Sequence, residues 1–227
     1  MSALILPSVV MVTRLWNDSG KCSPLKHGVC SLMAFPGLQA CVLSGGASER
    51  MGRDKALLPH PRGGVWLTAL VDQLIAVPLP VLVVSRHGEH SRLLQGRPQV
   101  DVMVEPPPFG GPLRALAKVL HPGGGHPLLV APVDMPMLSS AVLQQLIHAW
   151  QQDPHCAAVA HDGQRLQPLL GIYPSGVPFT PSLHQQLGEG NRRWLSWLAQ
   201  IPYQSVRLPE PALRNVNAPC DLAALRA

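Results

Sequence analysis

A chain of 227 residues with 46% hydrophobic and 14% charged residues has a globular composition, not a disordered one. It is sized for one domain with a substantial core. No apolar run approaches the roughly 20 residues of a membrane span, and a net charge of +5 spread along the chain forms no nucleic-acid stripe. The five cysteines, Cys22, Cys30, Cys41, Cys156 and Cys220, contain no CxxC pair, which argues against a disulfide framework or a zinc site and fits a reducing, cytoplasmic setting.

Residues 1–35 begin apolar but lack a basic leader before that run and a small-residue cleavage site after it. They are read as a disordered extension or a start-site artefact, ahead of one domain over 36–227. Ala40–Leu43 is a short apolar run that reads as a strand, with Cys41 as a small buried hydrophobe. Leu67, Leu70, Val71, Leu74 and Ile75 have helical spacing up to Pro78. Val81–Val84 reads as a strand buried on both faces, followed by a short polar helix near Glu89–Gln95 and a strand at Val100–Val104. Pro106 to Pro112 forms a rigid loop. A helix carrying Leu113, Leu116 and Leu120 leads to a strand at Leu128–Val133, which ends at Asp134.

Ser139 is the expected N-cap of a helix carrying Leu143, Leu146, Ile147 and Trp150. Cys156–Ala160 and Leu166–Tyr173 read as strands joined through Asp162-Gly163, a hairpin signal. Helices at Ser182–Leu187 and Arg192–Gln200, a strand at Tyr203–Leu208 and a helix from Pro219 complete the chain. Trp194 and Trp197 read as packing residues. Alternating strands and helices predict a Rossmann-like, three-layer α/β/α fold with a mostly parallel sheet and a small antiparallel addition late in the chain.

The first strand runs into LSGGASERMGRDKALL, Leu43 to Leu58. A buried strand feeding a glycine-rich loop can present backbone N–H groups to a phosphate. Gly45 and Gly46 allow close approach to a ligand, and Arg50 and Lys55 add cations. The segment is neither a Walker A loop nor GxGxxG. Read without context, it is a glycine turn bearing solvated charges. Its ordered residues resemble the signature LxGGxSxRMGxDKxLL of the MobA family, with Ser44 where Ala is commoner. Asp134-Met135-Pro136 resembles that family's DxP element. Gln167-Pro168-Leu169, Gly190-Asn191-Arg192-Arg193 and Asn215-Val216-Asn217-Ala218-Pro219 are similar to three further elements, the last with Ala218 where Thr is usual. Taken singly these read as an Asp capping a turn, an edge glutamine, a basic turn and an Asn-rich turn before a helix.

The resemblance, from about Leu38 to about Asp221, implies molybdenum cofactor guanylyltransferase chemistry. GMP would pass from GTP to molybdenum-molybdopterin, with pyrophosphate released. It implies that Leu43, Ser44, Gly45, Gly46, Lys55 and Asp134 bind the nucleotide. Arg50, Lys55 and Asp134 are its catalytic candidates, Asp134 its Mg²⁺ ligand, and Gln167, Arg193, Asn215 and Asn217 its acceptor-binding residues. It also implies proteins that deliver molybdopterin and molybdoenzymes that receive the product. A cytidylyltransferase on the same acceptor, another NTP transferase and a non-catalytic cofactor carrier are the alternatives. Pro106 falls where the family commonly has an Asp lining the nucleotide site, which leaves Glu105 as the nearby carboxylate.

Overall fold

Short runs rich in Val, Leu and Ala with no polar face bury both sides, and so become the centre of a sheet covered by helices. The computed structural model describes residues 37–46, 54–61, 63–107, 109–121, 125–217 and 221. The expectations for residues 1–35, Arg50 and the helix from Pro219 onward therefore lie outside the described residues, apart from Asp221, which is helical. The strands are β1 (Gln39–Leu43), β2 (Val81–Ser85), β3 (Val100–Val104), β4 (Leu128–Pro132), β5 (Ala157–His161), β6 (Leu166–Tyr173) and β7 (Tyr203–Arg207). The helices are α1 (Trp66–Ile75), α2 (Gly88–Leu94), α3 (Pro112–Val119), α4 (Ser140–Gln152), α5 (Phe179–Gly188) and α6 (Trp194–Leu198). Single 3₁₀ turns at Lys55–Leu57 and Glu210–Leu213 have no periodic signature in the sequence.

The strands form one sheet in the order β3-β2-β1-β4-β6-β5-β7. Its pairings are parallel except those of β6, which runs antiparallel to β4 and β5. The antiparallel addition is thus an insertion into the main sheet. Asp162 explains the hairpin: its Oδ1 accepts from the Gln164 and Arg165 amides at 2.8 and 2.7 Å, closing the turn. Those bonds hold its carboxyl down at about 2.

Alternation along each strand sends side chains to opposite faces. Val42, Val83 and Leu129 pack with α1 and α4 through Leu67, Leu74, Leu143 and Ile147. Cys41, Val84 and Val130 pack with α3, α5 and α6 through Leu116, Leu183 and Trp197. Burial pushes the Cys41 thiol up to about 12, as expected of an inert core cysteine. Trp194 and Trp197 close on Tyr173 with ring centroids 5.6 and 5.2 Å away, and Trp194 Nε1 donates to the Tyr173 hydroxyl.

Ser139 occupies the N-cap position of α4, but its side chain makes no capping bond. The helix start is held instead from α1, where Gln73 Oε1 accepts from the Ser140 amide at 2.8 Å. A partner 67 residues away in sequence displaces the local cap, which no local rule anticipates.

The chain moves from β1 outward to β2 and β3, then returns to place β4 on the other side of β1. This reversal leaves a crevice beyond the carboxyl ends of β1 and β4, where open α/β sheets bind ligands. Leu43 and Pro132, the last residues of these strands, are paired in register.

Candidate active site

A cavity of about 450 Å³ opens at this switch point. Leu43, Ser44, Gly45 and Gly46 line it from the end of β1, and Asp134 from beyond β4. Asp54, Lys55, Arg86, Glu105 and Phe109 complete its polar and aromatic wall. Neither Gly45 nor Gly46 has a positive φ. Among the described residues, a Cβ at Gly46 would meet nothing within 4 Å, and one at Gly45 would come no closer than 3.8 Å to another residue. None of the described residues therefore demands glycine at either position. The empty room and the bare backbone are what close approach of a ligand requires.

Lys55 and Asp134 meet across the cavity. The Lys55 ammonium lies 3.6 Å from Asp134 Oδ2 and donates to Asn217 Oδ1 at 2.7 Å. Asp134 Oδ1 is buried and has no hydrogen-bond partner among the described residues. Burial raises the Asp134 carboxyl above the usual carboxylate range, and the Lys55 charge offsets this only in part. A buried, underserved oxygen of this kind calls for an explanation such as an ion or ligand.

The asparagine segment is held directly against this pair. The Val216 amide donates to the Asp134 carbonyl at 2.9 Å, while Val216 is fully buried with Leu58, Trp66 and Val133. This places Asn217 on Lys55 and turns Asn215 toward β6, where its amide donates to Gln167 Oε1 at 3.2 Å. Gln167 in turn donates to Asp162 Oδ2 at 2.9 Å. Gln167, Asn215 and Asn217 therefore converge, although Leu169, and not Gln167, lines the cavity itself. Arg193 is exposed at the start of α6 and outside that lining.

Pro106 is exposed, and the neighbouring Glu105 is the buried residue, 7% accessible, that reaches the cavity. Lys118 from α3 donates to Glu105 Oε1 at 2.8 Å. Glu105 Oε2 lies beside the glycine loop, 3.9 Å from where a Cβ on Gly45 would stand. The Arg86 guanidinium sits 5.3 Å from the centre of the Phe109 ring, and both line the same end of the cavity. Arg86 and Phe109 gave no sequence signal, because their pairing joins two loops.

One cluster was only partly visible in the sequence. Asp54, a fixed position of the loop signature, caps its own 3₁₀ turn by accepting from the Ala56 amide at 2.9 Å. Its other oxygen meets His90 Nε2 at 2.9 Å and lies 3.7 Å from His87 Nε2. Burial alone would raise the Asp54 carboxyl, but the His90 and Ala56 hydrogen bonds and the nearby imidazoles leave it below its ordinary value. His90 is fully buried, and its Nδ1 lies 2.7 Å from Ser85 Oγ. The arrangement has the connectivity of a Ser–His–Asp triad, but Ser85 is fully buried and already accepts from the His87 amide. No substrate can reach that hydroxyl, so it is not a nucleophile.

A family model described as the MobA-like NTP transferase domain matches residues 40–202. The chain is 38% identical over 195 residues to a probable molybdenum cofactor guanylyltransferase of Rhodopirellula baltica, covering 83% of this chain and 92% of that protein. It is 30% identical over 197 residues to a molybdenum cofactor guanylyltransferase of Pseudomonas syringae pv. syringae, covering 84% and 94%. The fold is similar to the crystal structure of molybdopterin-guanine dinucleotide biosynthesis protein A from Archaeoglobus fulgidus, with a TM-score of 0.66 at 21% identity over 82% of this chain and 95% of that one.

Proposed function

The chain belongs to the MobA-like NTP transferase family, and from that premise we propose that it transfers GMP from GTP to the terminal phosphate of molybdenum-molybdopterin. The observation that carries this reading is the Lys55–Asp134–Asn217 cluster facing a bare glycine loop across a switch-point cavity. A phosphate monoester is already a competent nucleophile, so no activated Ser, Cys or His is required. The barrier is charge repulsion and alignment, which placed cations and amides lower.

In this account the amides around Gly45 and Gly46 hold the triphosphate, and Lys55 neutralises it. An oxygen of the acceptor phosphate attacks Pα in line. The bond from Pα to the bridging oxygen breaks, and its electron pair leaves with pyrophosphate. Arg50 is assigned to the same phosphates from the loop signature. Asn217 keeps the Lys55 ammonium aimed across the cavity. Gln167 and Asn215 orient the acceptor on the β6 side, and Arg193, outside the cavity lining, is assigned to the acceptor from the sequence resemblance. Glu105 supports guanine, whose N1–H and amino group both need acceptors. We assign the cytoplasm as the setting; among the described residues no helix is long and apolar enough to cross a membrane. Proteins that deliver molybdopterin, and molybdoenzymes that accept the product, are the corresponding partners.

The donor set fits Mg²⁺. Among the described residues no group of three or more His, Cys, Asp or Glu side chains is gathered into a cage. Mg²⁺ is commonly held by one or two carboxylates together with substrate phosphates. Asp134, whose buried Oδ1 has no hydrogen-bond partner among the described residues, is the residue that would hold it. When bound there, the ion supplies Lewis-acid stabilisation of the leaving pyrophosphate.

The test is turnover with GTP, CTP and ATP in parallel, with Mg²⁺ and molybdopterin. Pyrophosphate release with GTP well above the other two is expected. Equal or faster use of CTP would replace the guanylyl assignment with a cytidylyl one. Nucleotide binding without pyrophosphate release would make the chain a carrier.

A further inference from the structure

We infer that His90 is a positioning residue for Lys55, the buried strut through which the sheet sets the angle of the turn that carries that lysine. The inference uses the GMP-transfer reading only for its kinetic readout.

The starting point is the burial of His90. His90 shares the inward face of α2 with Leu94, one turn further on, and in that fully buried position it has a partner on each ring nitrogen. Asp54 bears a lowered carboxyl and so can only accept, which places a hydrogen on His90 Nε2. With Nε2 as donor, Nδ1 accepts from the Ser85 hydroxyl, 2.7 Å away. Ser85 is the last residue of β2, and its oxygen is fixed a second time by the His87 amide at 2.9 Å. Ser44 Oγ, at the exit of β1, also approaches His90 Nδ1 at 3.4 Å. The imidazole is thereby tied to the ends of two adjacent central strands.

From His90 the constraint passes outward. Asp54 Oδ2 is held by the imidazole, and Asp54 Oδ1 holds the Ala56 amide. The carboxylate therefore fixes the first turn of the Lys55–Leu57 segment from one side. Lys55 then spans from that turn to Asn217 and Asp134. Without the strut, the Asp54 carboxylate keeps only its own turn, and the turn loses its reference to the sheet. Displacements of about 1 Å at a reacting centre can cost on the order of 100-fold in rate.

The experiment uses a pair of isosteric variants in the full chain. A glutamine amide places its nitrogen near the position of imidazole Nε2, and an asparagine amide near that of Nδ1. H90Q keeps a donor to Asp54, whereas H90N keeps only the Ser85 side. Both remove the ring, so both lose similar packing. We expect H90Q to stay within a few-fold of the parent in kcat/KM for GTP, and H90N to fall roughly 10- to 100-fold, at matched Tm. Titration with GTP alone should show the same ranking. D54N, which removes the ionic partner from the other end, should follow H90N.

Equal losses in H90Q and H90N that track Tm would overturn the inference and make His90 a packing residue. Parent-like kinetics in H90N would overturn it as well. If neither His variant folds, D54N decides: unchanged GTP binding and kcat/KM would end the proposal. If the parent protein shows no GTP turnover, the functional reading fails. The ranking of H90Q and H90N in GTP titration still tests the strut.

Discussion

Asp54 and Asp134 line the same cavity, and each faces Lys55 or its turn, yet their environments are opposite. Asp54 has both oxygens engaged, by the Ala56 amide and His90, and its carboxyl lies below the ordinary range. Asp134 has one oxygen 3.6 Å from Lys55, the other buried without a hydrogen-bond partner among the described residues, and its carboxyl lies above that range. A fully satisfied carboxylate holds structure, and its removal leaves partners stranded. An underserved one stores an unfavourable term that a cation or phosphate-bound ion can relieve. The difference separates a residue that shapes the site from one that acts in it.

The largest test of that contrast is Asp134→Asn. Turnover should drop by about 100-fold or more, corresponding to several kcal/mol of lost transition-state stabilisation. Added Mg²⁺ should not restore it. Near-parental pyrophosphate release would remove Asp134 from the chemistry and leave the contrast without meaning.

Lys55→Ala should come next, with a loss of roughly 10- to 100-fold, since one placed cation on a phosphoryl group is lost. Arg53→Ala, a neighbouring cation at a variable position of the signature, should change little. Equal losses in steady-state assays would mean that charge in the loop matters and placement does not.

Glu105→Gln should leave turnover measurable but lower the preference for GTP over ATP by about tenfold, because an amide donor replaces a carboxylate acceptor opposite guanine. An unchanged ratio in competition assays would locate base selection elsewhere.

The smallest effects are in stability, and their signs should oppose. A carboxyl raised in the folded state stabilises the fold in acid, and that contribution is lost as pH rises through the folded value. At neutral pH the ionised Asp134 is therefore a cost, and Asp134→Asn should keep or raise Tm. A carboxyl lowered in the folded state stabilises above its unfolded value and loses that contribution as pH falls. Asp54→Asn should lower Tm by a few degrees near pH 7, with the gap closing toward acid. Thermal melts of both variants from neutral to acidic pH check this, and parallel behaviour would erase the contrast.

Much of this was legible in the sequence because it is local or periodic. The runs at Ala40–Leu43 and Leu128–Val133 are buried on both faces, and their apolar continuity shows it. Loop and DxP residues sit at strand ends, so their order along the chain maps onto the switch point. The signature also contains Asp54, but its role depends on His90, 36 residues away on a helix with no distinguishing pattern. Gln73 on the start of α4, Lys118 on Glu105 and Arg86 on Phe109 are likewise contacts between elements. Such contacts follow from packing, which periodicity and turn chemistry do not encode. Glu105, the carboxylate beside Pro106 in the sequence, is buried and lines the cavity while Pro106 is exposed; which of the two turns inward is set by tertiary contacts that a run of prolines does not encode.

The central claim is tested most directly by the fate of the label from α-phosphate-labelled GTP, incubated with the protein, Mg²⁺ and molybdenum-molybdopterin. The account predicts that the label enters a dinucleotide of guanosine monophosphate and molybdopterin, with one pyrophosphate released per dinucleotide formed. Label that stays in GTP, or appears in GDP with inorganic phosphate, would contradict it.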